Sequence, residues 1–147
     1  MMRKVASVLL VLAMVLAVGM AYAGDARVPM ELQAQFEQQT GTKASYYLWF
    51  PVVAEYPKDL NWTNFLILSN YTGGNIVIGC WYTSFQRTQT LQTYELGKFE
   101  KLILPVGQTV GSNQGYDILC GSDNFFGGAV LLFEGGSLAT SMPWVYF

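Results

Sequence analysis

The feature that most constrains the fold is a succession of short apolar runs separated by turn residues, from Tyr46 to Tyr146. Each run is about five to nine residues long and rich in β-branched or aromatic side chains, which is typical of strands. About eight strands at this spacing predict an all-β domain, a single antiparallel β-sandwich of about seven or eight strands. The predicted strands are Tyr46–Ala54, Asn64–Asn70, Asn75–Thr83, Thr88–Leu96, Phe99–Leu104, Tyr116–Cys120, Gly128–Phe133 and Leu138–Tyr146.

Glycines mark the turns between these runs. Gly135-Gly136 predicts a two-residue hairpin turn, because glycine tolerates the positive φ that such turns require. Thr72-Gly73-Gly74 is a second hairpin signal of nearly equal strength. Gly107, Gly111 and Gly115 lie in a polar loop with no helix predicted after it, so we interpret them as turn residues rather than as a phosphate-binding loop.

The first residues are typical of a secretory signal. Arg3 and Lys4 precede the apolar stretch Val8–Val18, and Ala21-Tyr22-Ala23 predicts cleavage before Gly24. The alternative is a transmembrane anchor, since the apolar run approaches the roughly 17 to 25 residues that span a bilayer. We expect a secreted or periplasmic protein, with association to the cell surface as a further option.

Residues 24–44 differ from the rest of the chain because they are polar and rich in glutamine. Met30, Leu32 and Phe36 form a weak apolar stripe, which is compatible with a short helix from about Pro29 to Gln39. A loosely attached arm is the alternative. The predicted organisation is therefore a signal peptide (1–23), an N-terminal arm or short helix (24–44) and a β-sandwich domain (45–147).

Charge and composition limit the kinds of partner. Signal cleavage removes two of the eight basic residues and leaves ten acidic ones, so the net charge moves from −2 to −4. The absence of a basic cluster argues against nucleic acid as a partner. Hydrophobic residues make up 52% of the chain and charged residues 12%, where about 25% is typical. One small domain cannot bury so much apolar surface, so some of it should contact a partner, a ligand or another copy.

The two cysteines, Cys80 and Cys120, predict one disulfide in an exported chain, with two free buried thiols as the alternative. If this bond crosses the core, strand alternation assigns the buried faces. They carry Ile76, Ile78, Cys80 and Tyr82 in one strand and Tyr116, Ile118 and Cys120 in another. Val77, Trp81 and Leu119 then lie on the opposite faces.

Two predicted strands, Asn64–Asn70 and Gly128–Phe133, are apolar on both sides, whereas a sheet with one hydrated face should alternate. Part of the outer surface is therefore expected to be covered. The cover could be the N-terminal segment, another copy of the chain, or a bilayer around a small outer-membrane barrel. Strands shorter than about nine to eleven residues, and Pro143 inside the last of them, disfavour the barrel.

The chain offers little catalytic chemistry. It has no histidine, which removes the usual general base, the imidazole metal ligands and the Ser-His-Asp triad. Two carboxylate pairs, Glu55 with Asp59 and Asp117 with Asp123, are the remaining acid–base candidates. Asp117, Asp123 and Asn124 could bind calcium, although the Gly-Ser-Asp-Asn turn needs no metal. We expect no enzyme activity, no catalytic residue, no cofactor and no metal site.

Aromatic residues are the class with functional potential. Trp81 by strand alternation and Tyr71 by its position in a turn are the best candidates for exposure. With Val77 and Leu119 they form the candidate interaction surface, which could anchor a protein interface or stack on a sugar. We expect self-assembly or another exported protein as the partner, with carbohydrate as the alternative ligand and no membrane contact after signal cleavage.

Four short motifs relate the chain to a broader class. They are Trp49-Phe50-Pro51-Val52-Val53, the strand that runs from Trp62-Thr63 to Asn70, Leu104-Pro105-Val106-Gly107-Gln108, and Gly127-Gly128-Ala129-Val130. With them the chain resembles bacterial exported β-sandwich modules, from which the third motif departs by an extra valine. The resemblance implies a surface-associated or structural module without a shared active site, so no catalytic residue is carried over.

Overall fold

The computed structural model describes residues 28–142 and 145–146, so the predicted signal peptide and Pro143 lie outside the described residues. The first element is helix α1, Met30–Thr40, which lies within one residue of its predicted bounds. Gly41 ends the helix in the left-handed conformation (φ 74°), where glycine is favoured, and its N–H donates to the carbonyl oxygen of Glu37.

In the part of the chain that the structure describes, nine strands and one short helix follow α1. The strands are β1 (Tyr46–Glu55), β2 (Trp62–Asn70), β3 (Ile76–Ser84), β4 (Gln89–Leu96), β5 (Lys101–Pro105), β6 (Gln114–Ser122), β7 (Phe126–Glu134), β8 (Ser137–Met142) and β9 (Val145–Tyr146), with α2 (Val106–Val110) before β6. Seven of the eight predicted strands correspond to single strands. The eighth, Leu138–Tyr146, is divided into β8 and β9, which belong to different sheets.

The strands form two antiparallel sheets, which confirms the predicted all-β sandwich. The five-stranded sheet has the order β4-β3-β6-β1-β9, and the four-stranded sheet has the order β5-β2-β7-β8. The chain repeatedly passes from one sheet to the other, and only the β3–β4 and β7–β8 connections join neighbours within a sheet. Among the residues described, no helix combines the length and apolar character needed to cross a membrane.

Of the two hairpin turns predicted from glycines, one is confirmed and one is wrong. Gly135 and Gly136 have φ values of 59° and 83° and join β7 to β8, so the predicted hairpin is confirmed. The second predicted hairpin, at Thr72-Gly73-Gly74, is wrong because β2 and β3 lie in different sheets. The buried Asn70 amide stabilises this crossing, since its Nδ2 donates to the carbonyl oxygens of Gly74 and Gly97 at 2.7 Å each. The Gly107–Gly115 segment also has more regular secondary structure than the predicted loop, because it contains most of α2 and the start of β6.

The disulfide between Cys80 and Cys120 is confirmed, but it joins neighbouring strands of one sheet and does not bridge the two sheets. Cys80 and Cys120 lie directly opposite each other in the β3–β6 register. Their side chains still point into the core, so the assignment of buried faces holds. All seven residues of those two faces belong to the main hydrophobic core, together with Leu48, Phe50, Leu66, Leu68 and Val130.

Candidate interaction surfaces

Helix α1 covers the central part of the outer face of the five-stranded sheet. Trp81 is fully buried there, with its ring centroid 6.1 Å from that of Phe36 and its indole N–H donating to Oε1 of Gln35 at 3.2 Å. The prediction that Trp81 is exposed is therefore wrong. Strand alternation placed its side chain on the correct face, but that face lies beneath the N-terminal helix, which was one of the three covers considered.

Phe36 is the residue of α1 that anchors the helix to the sheet. It is the one buried residue within the helix, and its ring lies over Gly79, where an added Cβ would come within 2.6 Å of Cδ2. Leu119 packs partly buried against the same cluster, and Val77 is also partly buried. Trp81, Val77 and Leu119 therefore do not form the predicted open surface together with Tyr71.

The outer face of the four-stranded sheet is apolar and is not covered by α1. Along β2, Leu66 and Leu68 point into the core, so Phe65 and Ile67 point outward. The pairings with β5, β7 and β8 continue this face across the sheet. We call it the apolar face, and it consists of Phe65, Ile67, Ile103, Ala129, Leu131, Phe133 and Leu138.

Both edges of the apolar face are open to solvent. Ile103 on β5 is 57% exposed and Leu138 on β8 is 59% exposed. Between them, Phe65 and Phe133 meet edge to face with ring centroids 5.5 Å apart. The strand alternation also places the polar residues Thr63, Ser69 and Lys101 on this side. Lys101 lies at the first position of β5, away from the centre of the face.

A second exposed surface lies at one end of the sandwich. Tyr71, in the β2–β3 loop, is 59% exposed, as its turn position predicts. Phe125 in the β6–β7 loop lies between Tyr71 and Tyr46, with ring centroids 6.2 Å and 6.0 Å away respectively. We call Tyr46, Phe125 and Tyr71 the aromatic cluster. Sequence analysis identified Tyr71 but missed the other two, because their proximity depends on which loops meet in space.

The two carboxylates of the first pair, Glu55 and Asp59, lie in different environments. Glu55 is buried, and its Oε2 accepts hydrogen bonds from the backbone N–H and the Nδ2 of Asn64 at 2.7 Å and 3.0 Å. Asp59, in contrast, is exposed. Glu55 therefore ties the end of β1 to β2.

The second pair is also separated. Asp117 lies opposite Thr83 near the end of β3 and accepts a hydrogen bond from the indole N–H of Trp49. Burial raises the pKa of Asp117, and the Trp49 hydrogen bond opposes that shift in part. Asp123 follows β6 and accepts from the backbone N–H of Val77 at 3.3 Å, near the start of β3. Within residues 28–142, no group of three or more metal-ligating side chains comes together.

Comparison with known proteins supports the fold. No family model matches the chain. No curated protein matches it either. Among solved structures, the chain is similar to the crystal structure of Thermotoga maritima 1070, with a TM-score of 0.57 and 12% sequence identity. The match covers 71% of this chain and 97% of the Thermotoga chain. At this identity the similarity shows a shared fold.

Proposed function

We propose that this protein is an exported, non-catalytic β-sandwich that works by associating with a second copy of itself through the apolar face. The observation that carries the proposal is the distribution of cover over the two sheets. Their inner faces pack on each other, and the outer face of the five-stranded sheet packs under α1. The apolar face has no cover among the described residues, although it carries two Phe, two Ile and two Leu side chains.

A second copy fits this face because a two-fold interface brings the same surface together from both partners. Because no charged side chain lies at the centre of the apolar face, two copies of this face can meet without electrostatic repulsion there. Sheets also pack face to face at a spacing of about 10 Å, the arrangement already present inside this sandwich. In flat projection, the four strands of five, nine, nine and six residues cover roughly 450 Å². This is a little over half of the ~800 Å² that each partner buries in a standard interface.

Two further observations support export and the lack of catalysis. A disulfide such as Cys80–Cys120 persists in oxidising compartments, which is consistent with the signal-like first residues and with a similarity to bacterial exported modules. Both cysteines are oxidised, and histidine is absent from the sequence. Glu55 joins the two sheets through Asn64, and Asp117 joins β6 to its neighbour β1 through Trp49. These groups support a structural role.

Light scattering coupled to size-exclusion chromatography tests the association. We expect the purified protein to be a dimer at tens of micromolar. The double variant Ile103→Lys/Leu138→Lys should be a monomer, because it places like charges at both edges of the face in each copy. Both side chains are more than half exposed, so the substitutions should leave the monomer folded.

Phe85→Lys is the matched control. Phe85 is 57% exposed, the same fraction as Ile103, but it lies in the β3–β4 turn, where its ring contacts Gly115. This variant should remain a dimer. A wild-type protein that is monomeric at high micromolar concentration, or a dimer that survives the double substitution, would show that the apolar face does not mediate association.

A further inference from the structure

We infer, on the basis of the proposed self-association, that the aromatic cluster extends the apolar face, so that the second copy covers both surfaces. The three rings come from the start of β1, the β2–β3 loop and the β6–β7 loop. Tyr46, Phe125 and Tyr71 are 40%, 44% and 59% exposed, so each leaves apolar ring surface in contact with water. A partner seated on the apolar face removes that surface from water only if the cluster adjoins the face.

The Tyr71 ring is the point at which the two surfaces adjoin. A Cβ added to Gly128 would meet side chains of the core, so Gly127, its neighbour in β7, faces outward on the side of Ala129. A Cβ added to Gly127 would meet the Tyr71 ring, which therefore lies over the outer side of β7. Ala129, a member of the apolar face, is two residues further along the strand, at a distance of about 7 Å.

The row of residues beside Gly127 does not separate the two surfaces. Ser69, which lies opposite Gly127 in β2, faces outward but is only 5% exposed. Lys101 follows on the edge strand β5 and is exposed, so its ammonium group can stay in water at the rim of an interface. The surface between the apolar face and Phe125 is therefore formed mainly by the Tyr71 ring.

The angles between the rings suit a protein partner. Phe125 is tilted by 38° from Tyr71, and Tyr46 meets Phe125 edge to face at 80°. Rings at these angles form a ridged surface, and the side chains of a protein interface pack by fitting ridges into hollows. Tyrosine and phenylalanine are also enriched in the buried centres of protein interfaces.

The area of the interface also favours the larger surface. The apolar face alone covers roughly 450 Å², whereas a stable interface buries about 600–1,000 Å² on each partner. A tyrosine or phenylalanine side chain has on the order of 200 Å² of surface, so the exposed parts of Tyr71 and Phe125 add roughly 200 Å². Together they reach roughly 650 Å², which lies within the range of a stable dimer.

Sedimentation velocity on the purified protein over a range of concentrations gives the dissociation constant of the dimer and tests the larger interface. Tyr71→Ala and Phe125→Ala should each raise this constant roughly tenfold or more, because a two-fold dimer loses each ring twice. Tyr71→Phe keeps the ring and should keep the wild-type constant. Tyr46→Ala should have a smaller effect than Tyr71→Ala, because Tyr46 lies beyond Phe125 along the cluster.

Phe85→Ala is the matched control. Phe85 is 57% exposed and its ring also lies over a strand glycine, Gly115, but the β3–β4 turn is at the opposite end of β3 from the β2–β3 loop. This variant should keep the wild-type dissociation constant. Urea unfolding followed by far-ultraviolet circular dichroism checks that each variant is folded.

The comparison with Ile103→Lys/Leu138→Lys separates this result from the test of association. If that double variant is monomeric while Tyr71→Ala and Phe125→Ala both dimerise like the wild type, the apolar face mediates association without the cluster. That outcome would overturn the larger interface and leave the proposed function intact. A monomeric wild type would overturn both.

Discussion

Phe36 is the side chain on which the cover of the five-stranded sheet depends. Its ring fills the space above Gly79 and contacts Trp81, while most other residues of α1 are exposed. Phe36→Ala should lower the free energy of unfolding by about 3–5 kcal/mol, the usual range for a buried phenylalanine. The same change should expose Trp81, seen as a red shift of tryptophan fluorescence and as stronger quenching by acrylamide.

Met30→Ala is the control for this variant, because Met30 belongs to the same helix but is 84% exposed. Its free energy of unfolding should change by less than about 0.5 kcal/mol. If Phe36→Ala costs no more than Met30→Ala, α1 does not stabilise the sandwich through this contact.

The raised pKa of Asp117 predicts the sign of a pH dependence in the stability. Burial raises its pKa above the ordinary value of 3.8, so between these two pKa values the folded protein binds more protons than the unfolded chain. The contribution of Asp117 to stability is then fully present below pH 3.8 and is lost as the pH rises through the raised pKa.

Asp117→Asn should remove this dependence and keep the hydrogen bond, because an amide oxygen can still accept from the indole N–H of Trp49. Above the raised pKa, the variant should therefore be at least as stable as the wild type. The measurement is urea unfolding at a series of pH values. An unchanged difference in unfolding free energy between wild type and variant across the series would contradict the sign worked out for Asp117.

At the scale of elements, strand positions were predictable because period-two alternation and glycine turns are local properties of the sequence. The pairing partners of each strand within the two sheets were not predictable. Thr72-Gly73-Gly74 has the composition of a hairpin turn, yet it joins two sheets because the buried Asn70 holds the crossing together. The division of the last predicted strand into β8 and β9 was also not predictable, since these two strands pair with different partners.

The candidate surfaces show the same limit. Alternation placed Trp81 on the outer face correctly, but whether α1 or solvent covers that face depends on tertiary packing. The two-sided apolar pattern of β2 and β7 was a valid signal for the apolar face, since these strands are neighbours. The contributions of Ile103 and Leu138 depend on strand order and could not be found from the sequence.

The disulfide stabilises the sandwich at this same scale. It joins two central strands, β3 and β6, and closes a loop with a sequence separation of 40 residues. In the chain-entropy model, a loop of this size restricts the unfolded chain and so stabilises the folded protein by about 4 kcal/mol. Reduction should therefore lower the free energy of unfolding by about 2–4 kcal/mol, measured by urea unfolding with and without dithiothreitol.

Cys80→Ala/Cys120→Ala is the companion variant. It should lose at least as much stability as the reduced protein and should not respond to dithiothreitol. The β3–β6 pairing itself extends over seven residue pairs, from Ile78–Ser122 to Ser84–Tyr116, and does not need the bond. Strand content should consequently survive reduction, and a wild-type unfolding midpoint that reduction leaves unchanged would contradict the predicted contribution.

For the whole molecule, part of the excess of apolar residues in the composition lies in residues 1–23, and the rest is distributed over the faces of the two sheets. Two sheets have four faces: the inner pair forms the core, and α1 covers a third. The fourth is the apolar face, which neither α1 nor the opposite sheet contacts. The aromatic cluster lies at one end of the sandwich, at the start of β1 and on the β2–β3 and β6–β7 loops. The apolar face and the aromatic cluster are therefore two separate exposed surfaces, which adjoin at Tyr71.

Because association through the apolar face requires a folded sheet, it should be linked to thermal stability. A partner that binds only the folded state raises the apparent Tm as its concentration increases. For a domain of this size, each tenfold increase in protein concentration above the dissociation constant should raise Tm by about 2 °C. Ile103→Lys/Leu138→Lys should have a Tm independent of concentration, and Phe85→Lys should behave like the wild type. A wild-type Tm that stays constant over a hundredfold range of concentration, measured by differential scanning calorimetry, would contradict coupling between folding and association.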